Sequence, residues 1–480
     1  MTSAPTALHA ARRRSDLAAA ADGTCDVLVV GGGITGTGVA LDAASRGLRV
    51  TLIEAEDLAF GTSRFSSKLV HGGLRYLATG DVATARESAR ERHLLMSVIA
   101  PHLIRPLGQL LPFAPGVSGR QRGAGAAGMA MGDLLRLQAR TSAKTLPGPH
   151  PVGTAKALRL FPALNPRGLR GGMVTYDGQL SDDAALVVAV ARTAAGLGAR
   201  ILTRVRAERL HADGAAATDT LTGERIDIRA RTVINATGVW AATLDDGLTL
   251  RPSRGTHIVL DAADLGDPAA ALTIPLEGSI SRYVFALPQR AGRVIVGLTD
   301  VDAPGPIPSV AEPTEAEIGF LLATLNRLLA APVARDRVRG AFAGLRPLVD
   351  TGAAETADVS RRHLVRASAS GVISVLGGKL TTYRRMAEDA VDLAVRQYGL
   401  RAGPSGTATL RLIDDPAPGD VVEGGALSRA AVEHAVRSQG AMTAADVLDR
   451  RTRIGLVSDE RARALPAVER IVAETLADLP

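Results

Sequence analysis

Cysteine is nearly absent from this chain, with Cys25 alone among 480 residues. A single thiol forms no intramolecular disulfide, cysteine zinc cluster or iron–sulfur centre, so a disulfide-framed secreted module is excluded and a reducing compartment is expected. Aromatic residues are scarce at 3%, which leaves little to stack on unpaired bases and argues against a nucleic-acid partner. No zinc-finger spacing, long basic block or internal repeat is present, and no metal is expected. Nor is there an uncharged apolar run of about 18 residues, the length a spanning helix needs. The best stretch, GAGAAGMAMG (123–132), is short and bounded by Arg122 and Asp133. Arg12-Arg13-Arg14 with Ser15-Asp16-Leu17 resembles a twin-arginine signal but lacks the apolar segment that should follow, so residues 1–22 read as a flexible tail.

What is present is an ordinary globular balance, 46% hydrophobic and 22% charged. At roughly 150 residues per domain the length implies about three structural units. Basic residues exceed acidic ones by 56 to 49, a formal net charge of +7. That excess suits an anionic membrane surface or an anionic substrate as well as it suits a plain solvated surface.

The apolar run from Val27 to Val30 predicts a strand, then a glycine turn, a helix to about Arg46 and a second strand from Arg49 to Ile53. This is a βαβ start with strands of the buried parallel kind. Helices are expected over 81–104, from the Ser181-Asp182-Asp183 cluster to Gly198, and over 313–330, with strands near 200–206 and 231–236. Short β segments over 251–300 suggest an antiparallel sheet. Beyond Pro404, helices at 428–439, 443–451 and 459–478, capped by Ser428, Gly440 and Ser458, read as a separate helical unit.

Gly31, Gly33 and Gly36 form G-x-G-x-x-G between that first strand and its helix. The glycines permit a tight turn and close approach to a pyrophosphate, which the helix N-terminus favours. Glu54, 18 residues beyond Gly36, ends the second strand where an acid binds ribose hydroxyls. Next comes a hydroxyl-rich loop with Thr62, Ser63, Ser66 and Ser67. The chain returns to the nucleotide at Ala236-Thr237-Gly238 and again at Gly377-Gly378-Lys379-Leu380-Thr381, where a helix opens toward the flavin ring. Late returns after long insertions are a habit of two-dinucleotide-fold flavoproteins, so the cofactor is read as FAD.

The sequence here resembles the FAD-dependent glycerol-3-phosphate dehydrogenases of the aerobic respiratory type. The runs that carry the resemblance are GGGITGTG (31–38), SRFSSKLVHGGLRYL (63–77), YDGQLSDDA (176–184), INATGVWA (234–241), GTHIV (255–259), GLRPL (344–348), GGKLTTYRRMAEDA (377–390) and DVLDRRTR (446–453). They span nearly the whole chain after residue 25, in family order.

The resemblance implies an α/β fold. A two-dinucleotide-binding-type FAD domain (about 23–80, 170–245 and 345–399) would carry an inserted antiparallel-sheet substrate domain (81–169 and 246–344). A C-terminal helical domain would occupy 400–480. Cofactor contacts would come from Gly31, Gly33, Gly36, Glu54, Thr62, Ser63, Ser66, Ser67, Val205, Ala236, Thr237, Gly238, Gly378, Lys379, Leu380 and Thr381. A phosphomonoester dianion wants fixed cations, and arginine's planar fork suits it best. The family's substrate cations fall on Arg75, Arg346 and Lys379, with Arg361 a fourth, although the family tends to show Arg-Asp-Tyr where this chain has Arg361-Arg362-His363. Tyr76 would bond the substrate, and His71 would support the flavin loop.

Alcohol oxidation needs a base about 2.6–3.2 Å from the hydroxyl proton. His257 is the candidate, with Arg346 and Lys379 as the other catalytic residues. The expected reaction converts sn-glycerol 3-phosphate to dihydroxyacetone phosphate by hydride transfer from C2 to flavin N5, with a membrane quinone as final acceptor. A glycerol-3-phosphate oxidase using O2 and a flavin-dependent amine or amino-acid oxidase are the alternatives. A quinone acceptor implies a cytoplasmic protein, peripheral on the inner face of the cell membrane, with 117–140 as the docking segment and Arg136 and Arg140 near the lipid. A homodimer is left open.

Overall fold

The computed structural model describes residues 5–73, 76, 80–279, 281–349, 363–415 and 427–479. Val27–Val30 shows why the first sheet forms. Its four residues are all buried, with Val27 and Val29 facing one core and Leu28 and Val30 another. A strand covered on both faces needs an unbroken apolar run. It lies in a six-stranded sheet ordered Leu364–Ala367, Ile373–Leu376, Val233–Asn235, Val27–Val30, Val50–Glu54 and Arg200–Thr203. Neighbours are parallel except at the first pair. Helices Ile34–Ser45, Asp183–Gly196 and Tyr383–Tyr398 fill the first core. The second core is closed by a four-stranded sheet of Thr24–Cys25, Arg225–Ala230, Gly214–Asp219 and Val205–His211.

The other large sheet has ten strands and is antiparallel except for one pair. Its longest members, Leu250–Asp261, Gly340–Val349, Ile104–Pro112 and Gly172–Leu180, alternate between two environments. Leu110, Val174, Ile258, Leu272 and Val284 pack on Ile318, Leu321 and Leu325 of helix Glu315–Asn326. Residues one step along the same strands, such as Gln109, Thr175, His257, Thr273 and Phe285, face a cavity. The period-2 geometry of a strand turns one sheet into both a core wall and a site wall. Gly172–Leu180 belongs to this sheet, not to the nucleotide-binding segments expected from 170 onward.

Two further expectations are corrected. Residues 10–22 form a helix, not a flexible tail. Arg13 is buried there, its guanidinium bonded to Asp219 at 2.7 Å and to the Thr203 carbonyl at 2.7 Å, and Leu8 bridges to Gln439. Residues 400–415 belong to the first core, where Leu400 and Leu412 are buried. The helical unit proper begins at Arg429–Ser438 and continues through Ala444–Arg450 and Ser458–Ala477, with its own core of Val432, Val436, Val447, Leu448, Val468 and Ile471. Ser428 caps the first of these helices as expected, whereas the last is preceded by Val457 and begins at Ser458.

A buried pair that loses one partner leaves an uncompensated charge. Arg13→Ala is therefore expected to cost about 3 kcal/mol, read as a lower urea midpoint, while a free tail would leave the midpoint unchanged.

Candidate functional site

One cavity of about 1510 Å³ brings together most of the residues singled out from the sequence. Its nucleotide end is built on the first βαβ turn. A Cβ at Gly36 would stand 1.9 Å from the Gly31 carbonyl oxygen, so the helix can meet the strand only with glycine there. Ser63 Oγ accepts from the Ile34 N–H at 2.9 Å and ties the hydroxyl loop to the helix start. Glu54 accepts from the Gly32 N–H at 2.6 Å and the Glu56 N–H at 2.9 Å. Burial pushes its carboxyl up, and those two backbone bonds oppose the rise. Gly31, Gly33, Thr62, Ser63, Ser66, Ser67, Val205, Ala236, Thr237, Gly238, Gly378, Lys379, Leu380 and Thr381 all line the cavity with Glu54. Gly36 lies behind the turn. A backbone cradle at a helix N-terminus, with an acid at the next strand end, fits the pyrophosphate and ribose of FAD.

The other end is cationic. Arg346 reaches the cavity from Gly340–Val349 and is held on one side: its guanidinium donates to Ser253 Oγ (3.1 Å), Asp300 Oδ1 (3.0 Å) and the Thr299 carbonyl (3.2 Å). Lys379 comes from the opposite sheet, donates to Ser88 Oγ and stands 4.2 Å above the Tyr76 ring centroid. His71 and Tyr76 line the same space. Arg75 and Arg361 lie outside the described residues. His363, beside Arg361, pairs with Asp389 at 2.8 Å.

His257 is only 2% exposed, yet it forms part of the cavity wall. Its Nε2 is 2.9 Å from Ser67 Oγ and its ring stacks on Phe342 with centroids 4.8 Å apart. A Cβ on Gly297 would come within 2.1 Å of the imidazole, so glycine in the neighbouring strand makes room for it. Burial, then the positive charges of Lys68 and Arg346, hold its pKa well below that of an ordinary histidine. The ring is neutral at physiological pH.

Several residues here were not singled out as site residues from the sequence. Lys68 is 2% exposed and donates to Asp183 at 3.0 Å, and burial brings its pKa down to about 8. Asp183 also accepts from the Ser66 N–H and Oγ. Arg254, Asp300 and Glu317 line the cavity too, with Arg254 and Glu317 paired at 2.9 Å. Asp177 accepts from the Gly72 N–H at 3.0 Å and from Arg92. Lys68, Asp177 and Asp183 lie inside the matched runs and Arg254 next to one, whereas Asp300 and Glu317 lie in none; their partners are tens to hundreds of residues away. Among the described residues, no group of three His, Cys, Asp or Glu side chains is arranged to hold a metal.

The FAD dependent oxidoreductase family model matches residues 26–384. Glycerol-3-phosphate dehydrogenase 1 of Mycobacterium tuberculosis is 49% identical, over 97% of this chain and 98% of its own. The mitochondrial glycerol-3-phosphate dehydrogenase of Bos taurus is 38% identical, over 81% of this chain and 55% of its own. The structure of the glycerol-3-phosphate dehydrogenase from Bacillus halodurans, complexed with FAD, aligns with a TM-score of 0.74 at 25% identity, covering 98% of this chain and 94% of that one. L-alpha-glycerophosphate oxidase from Mycoplasma pneumoniae shares the fold, with a TM-score of 0.60 at 17% identity over 82% of this chain and 100% of that one. A glycine cradle built for FAD, cations facing it from two sheets and a likeness running the length of the molecule lead to one assignment: the chain belongs to the FAD-dependent glycerol-3-phosphate dehydrogenase family.

Proposed function

We propose that the protein oxidises sn-glycerol 3-phosphate to dihydroxyacetone phosphate and passes the electrons to a membrane quinone. The observation that carries this reading is the cavity itself, in which Arg346 and Lys379 face one space with the nucleotide cradle. When bound, FAD accepts the hydride from C2 of the substrate.

The chain's own residues supply the rest. Arg346 offers a fork fixed by Ser253 and Asp300, and Lys379 a point charge packed on Tyr76, which together suit a phosphate dianion. His257 is the base: its neutral ring receives the hydroxyl proton at Nε2, with Ser67 Oγ placed to pass it on. Phe342 and Gly297 hold the ring so that it presents the same edge each time.

The membrane part rests on helix Gly119–Gln138. Ser118 and Gln121 form its capping box, and Met129 and Leu135 pack inward. Ala127, Ala130, Met131, Leu134 and Leu137 recur at helical spacing on the outer face, and Leu134 and Leu137 are 47% and 56% exposed. Ala127 and Met131 also line the cavity, as does Phe320 of helix Glu315–Asn326. Arg136 does not face outward as expected: it is buried, bonded to Asp133 at 2.5 Å and to the Thr141 carbonyl at 2.7 Å. The basic fringe is Arg120 and Arg140. Among the described residues no helix is long and apolar enough to cross a membrane. An apolar helix face beside the cavity mouth suits peripheral docking on the inner face of the cell membrane, next to a lipid-soluble acceptor.

The first test is an anaerobic visible spectrum of the purified protein before and after adding sn-glycerol 3-phosphate. Bleaching of bound flavin is expected, and Arg346→Ala should cut kcat/KM at least about tenfold. Flavin that stays oxidised would overturn the reading. Reoxidation by a quinone analogue with little peroxide is the expected acceptor result, and stoichiometric peroxide would mark an oxidase instead. Because His257 is neutral, kcat/KM should show no histidine limb between pH 7.5 and about 6, and His257→Gln should lose about 100-fold or more. Finally, Leu134→Glu with Leu137→Glu, both outside the cavity lining, should release the protein from anionic vesicles without changing flavin reduction, and retention would discard the docking face.

A further inference from the structure

The DVLDRRTR run belongs to the C-terminal helical unit, yet its last residue reaches the groups that brace the Ser66–Lys68 turn behind the cavity. Arg453 donates to the Arg64 carbonyl at 2.6 Å and stands 3.6 Å from Asp182 and 3.5 Å from Asp183. Its backbone is left-handed, φ 64°, an uncommon state for a residue with a Cβ. Its Nε and Nη1 are buried without a hydrogen-bond partner, so the guanidinium is held by charge more than by a full set of bonds.

What it approaches is a strained turn. Lys68 also has positive φ, 56°, and such conformations persist only where the surroundings over-determine them. Here one carboxylate oxygen, Asp183 Oδ2, accepts from the Ser66 N–H at 3.0 Å, Ser66 Oγ at 2.7 Å and Lys68 Nζ at 3.0 Å. Asp183 is fully buried beside Asp182, which caps helix Asp183–Gly196. Two adjacent carboxylates, one fully and one partly buried, repel, and the cluster is neutral only when both Lys68 and Arg453 are counted. Between Ser66 and Lys68 sits Ser67, whose hydroxyl is 2.9 Å from His257 Nε2.

We propose that Arg453 is a positioning residue contributed by the helical unit: it neutralises the Asp182–Asp183 pair, locks the Ser66–Lys68 turn, and through Ser67 fixes His257 at the cavity. The C-terminal unit then supports the chemistry of a site to which it contributes no wall. This rests on the functional reading above only for the role of His257, since the locking of the turn is independent of it.

The test uses the FAD-loaded full chain and two readouts, amide exchange in the peptide covering 62–72 and the anaerobic rate of flavin reduction by sn-glycerol 3-phosphate. Arg453→Gln should speed exchange at Ser66–Lys68 by at least about tenfold and slow reduction by a similar factor, with the half-saturating substrate concentration nearly unchanged. Arg453→Lys keeps a charge near the aspartates and should restore part of both. Arg461→Gln removes an ion pair to Asp449 within the helical unit and should change neither. Wild-type exchange in Arg453→Gln would overturn the proposal, as would equal effects in Arg461→Gln, which would indicate general loosening. If Arg453→Gln yields no folded protein, Arg453→Lys carries the test alone, since it cannot reproduce the guanidinium's simultaneous reach to the Arg64 carbonyl and both aspartates, and wild-type values in it would equally overturn the proposal. A wild-type protein that the substrate does not reduce would fail the functional reading and leave the exchange result standing.

Discussion

Successive side chains of a strand point to opposite faces, and the arrangement of this protein depends on that alternation in the ten-stranded sheet. Leu110, Val174, Ile258, Leu272 and Val284 bury one face against a helix, which frees the other from any duty to the core. That second face then carries Gln109, Thr175, His257, Thr273, Phe285 and Arg346 into the cavity. A shift of one residue in any of these strands would move a polar group into the core and a leucine or valine into the site, so stability and function select the same register. Arg346 lies opposite Ser253 in that register, and Ser253 is one of the groups that hold its fork.

Arginine has an internal role here that its numbers conceal. The net charge of +7 suggests a cationic surface, but Arg13, Arg92, Arg384, Arg450 and Arg451 are buried or nearly so and engage Asp219, Asp177, Glu91 and Asp57. These pairs join segments far apart in sequence: the first helix to the four-stranded sheet, and the helical unit to the loop after Glu54. Desolvating both charges is expensive, so such links add little net stability, but each is costly to break and is exacting in geometry. Each pair withdraws one charge of either sign, so the net charge of +7 stays with the rest of the molecule while fewer arginines than the composition suggests are available to a partner.

What could be read in advance follows from range. The glycine turn, Glu54, the Asp182 cap and the three late helices are set by neighbours within a few residues, and all are plain in the sequence. The helix at 10–22 was not, because its polar arginines look solvated until Asp219 is brought to Arg13. The strands between Val205 and Ala230 were missed although Arg225–Ala230 alternates perfectly between exposed and buried residues. That period-2 signal was available, but the short alanine-rich strand beside it obscured the pairing. Lys68, Asp183 and Arg453 all lie in runs that carry the family resemblance, but their pairing had no signal, since 115 residues separate the first two and nothing local distinguishes a buried lysine from a solvated one.

The charges around His257 connect binding with proton transfer. Lys68 and Arg346 help keep the imidazole unprotonated in the free site, which makes it available as a base but also a weak one, since a low pKa means low proton affinity. Under the proposed reading the substrate brings a phosphate dianion to Arg346 and Lys379. Its negative charge offsets part of the field that depressed the histidine, and closure of the cavity by the bound molecules lowers the screening between them. The proton affinity of His257 therefore rises when a dianion is present. A neutral analogue without the phosphate would forfeit that increase as well as its anchoring, so the phosphate's contribution falls on kcat as well as on KM.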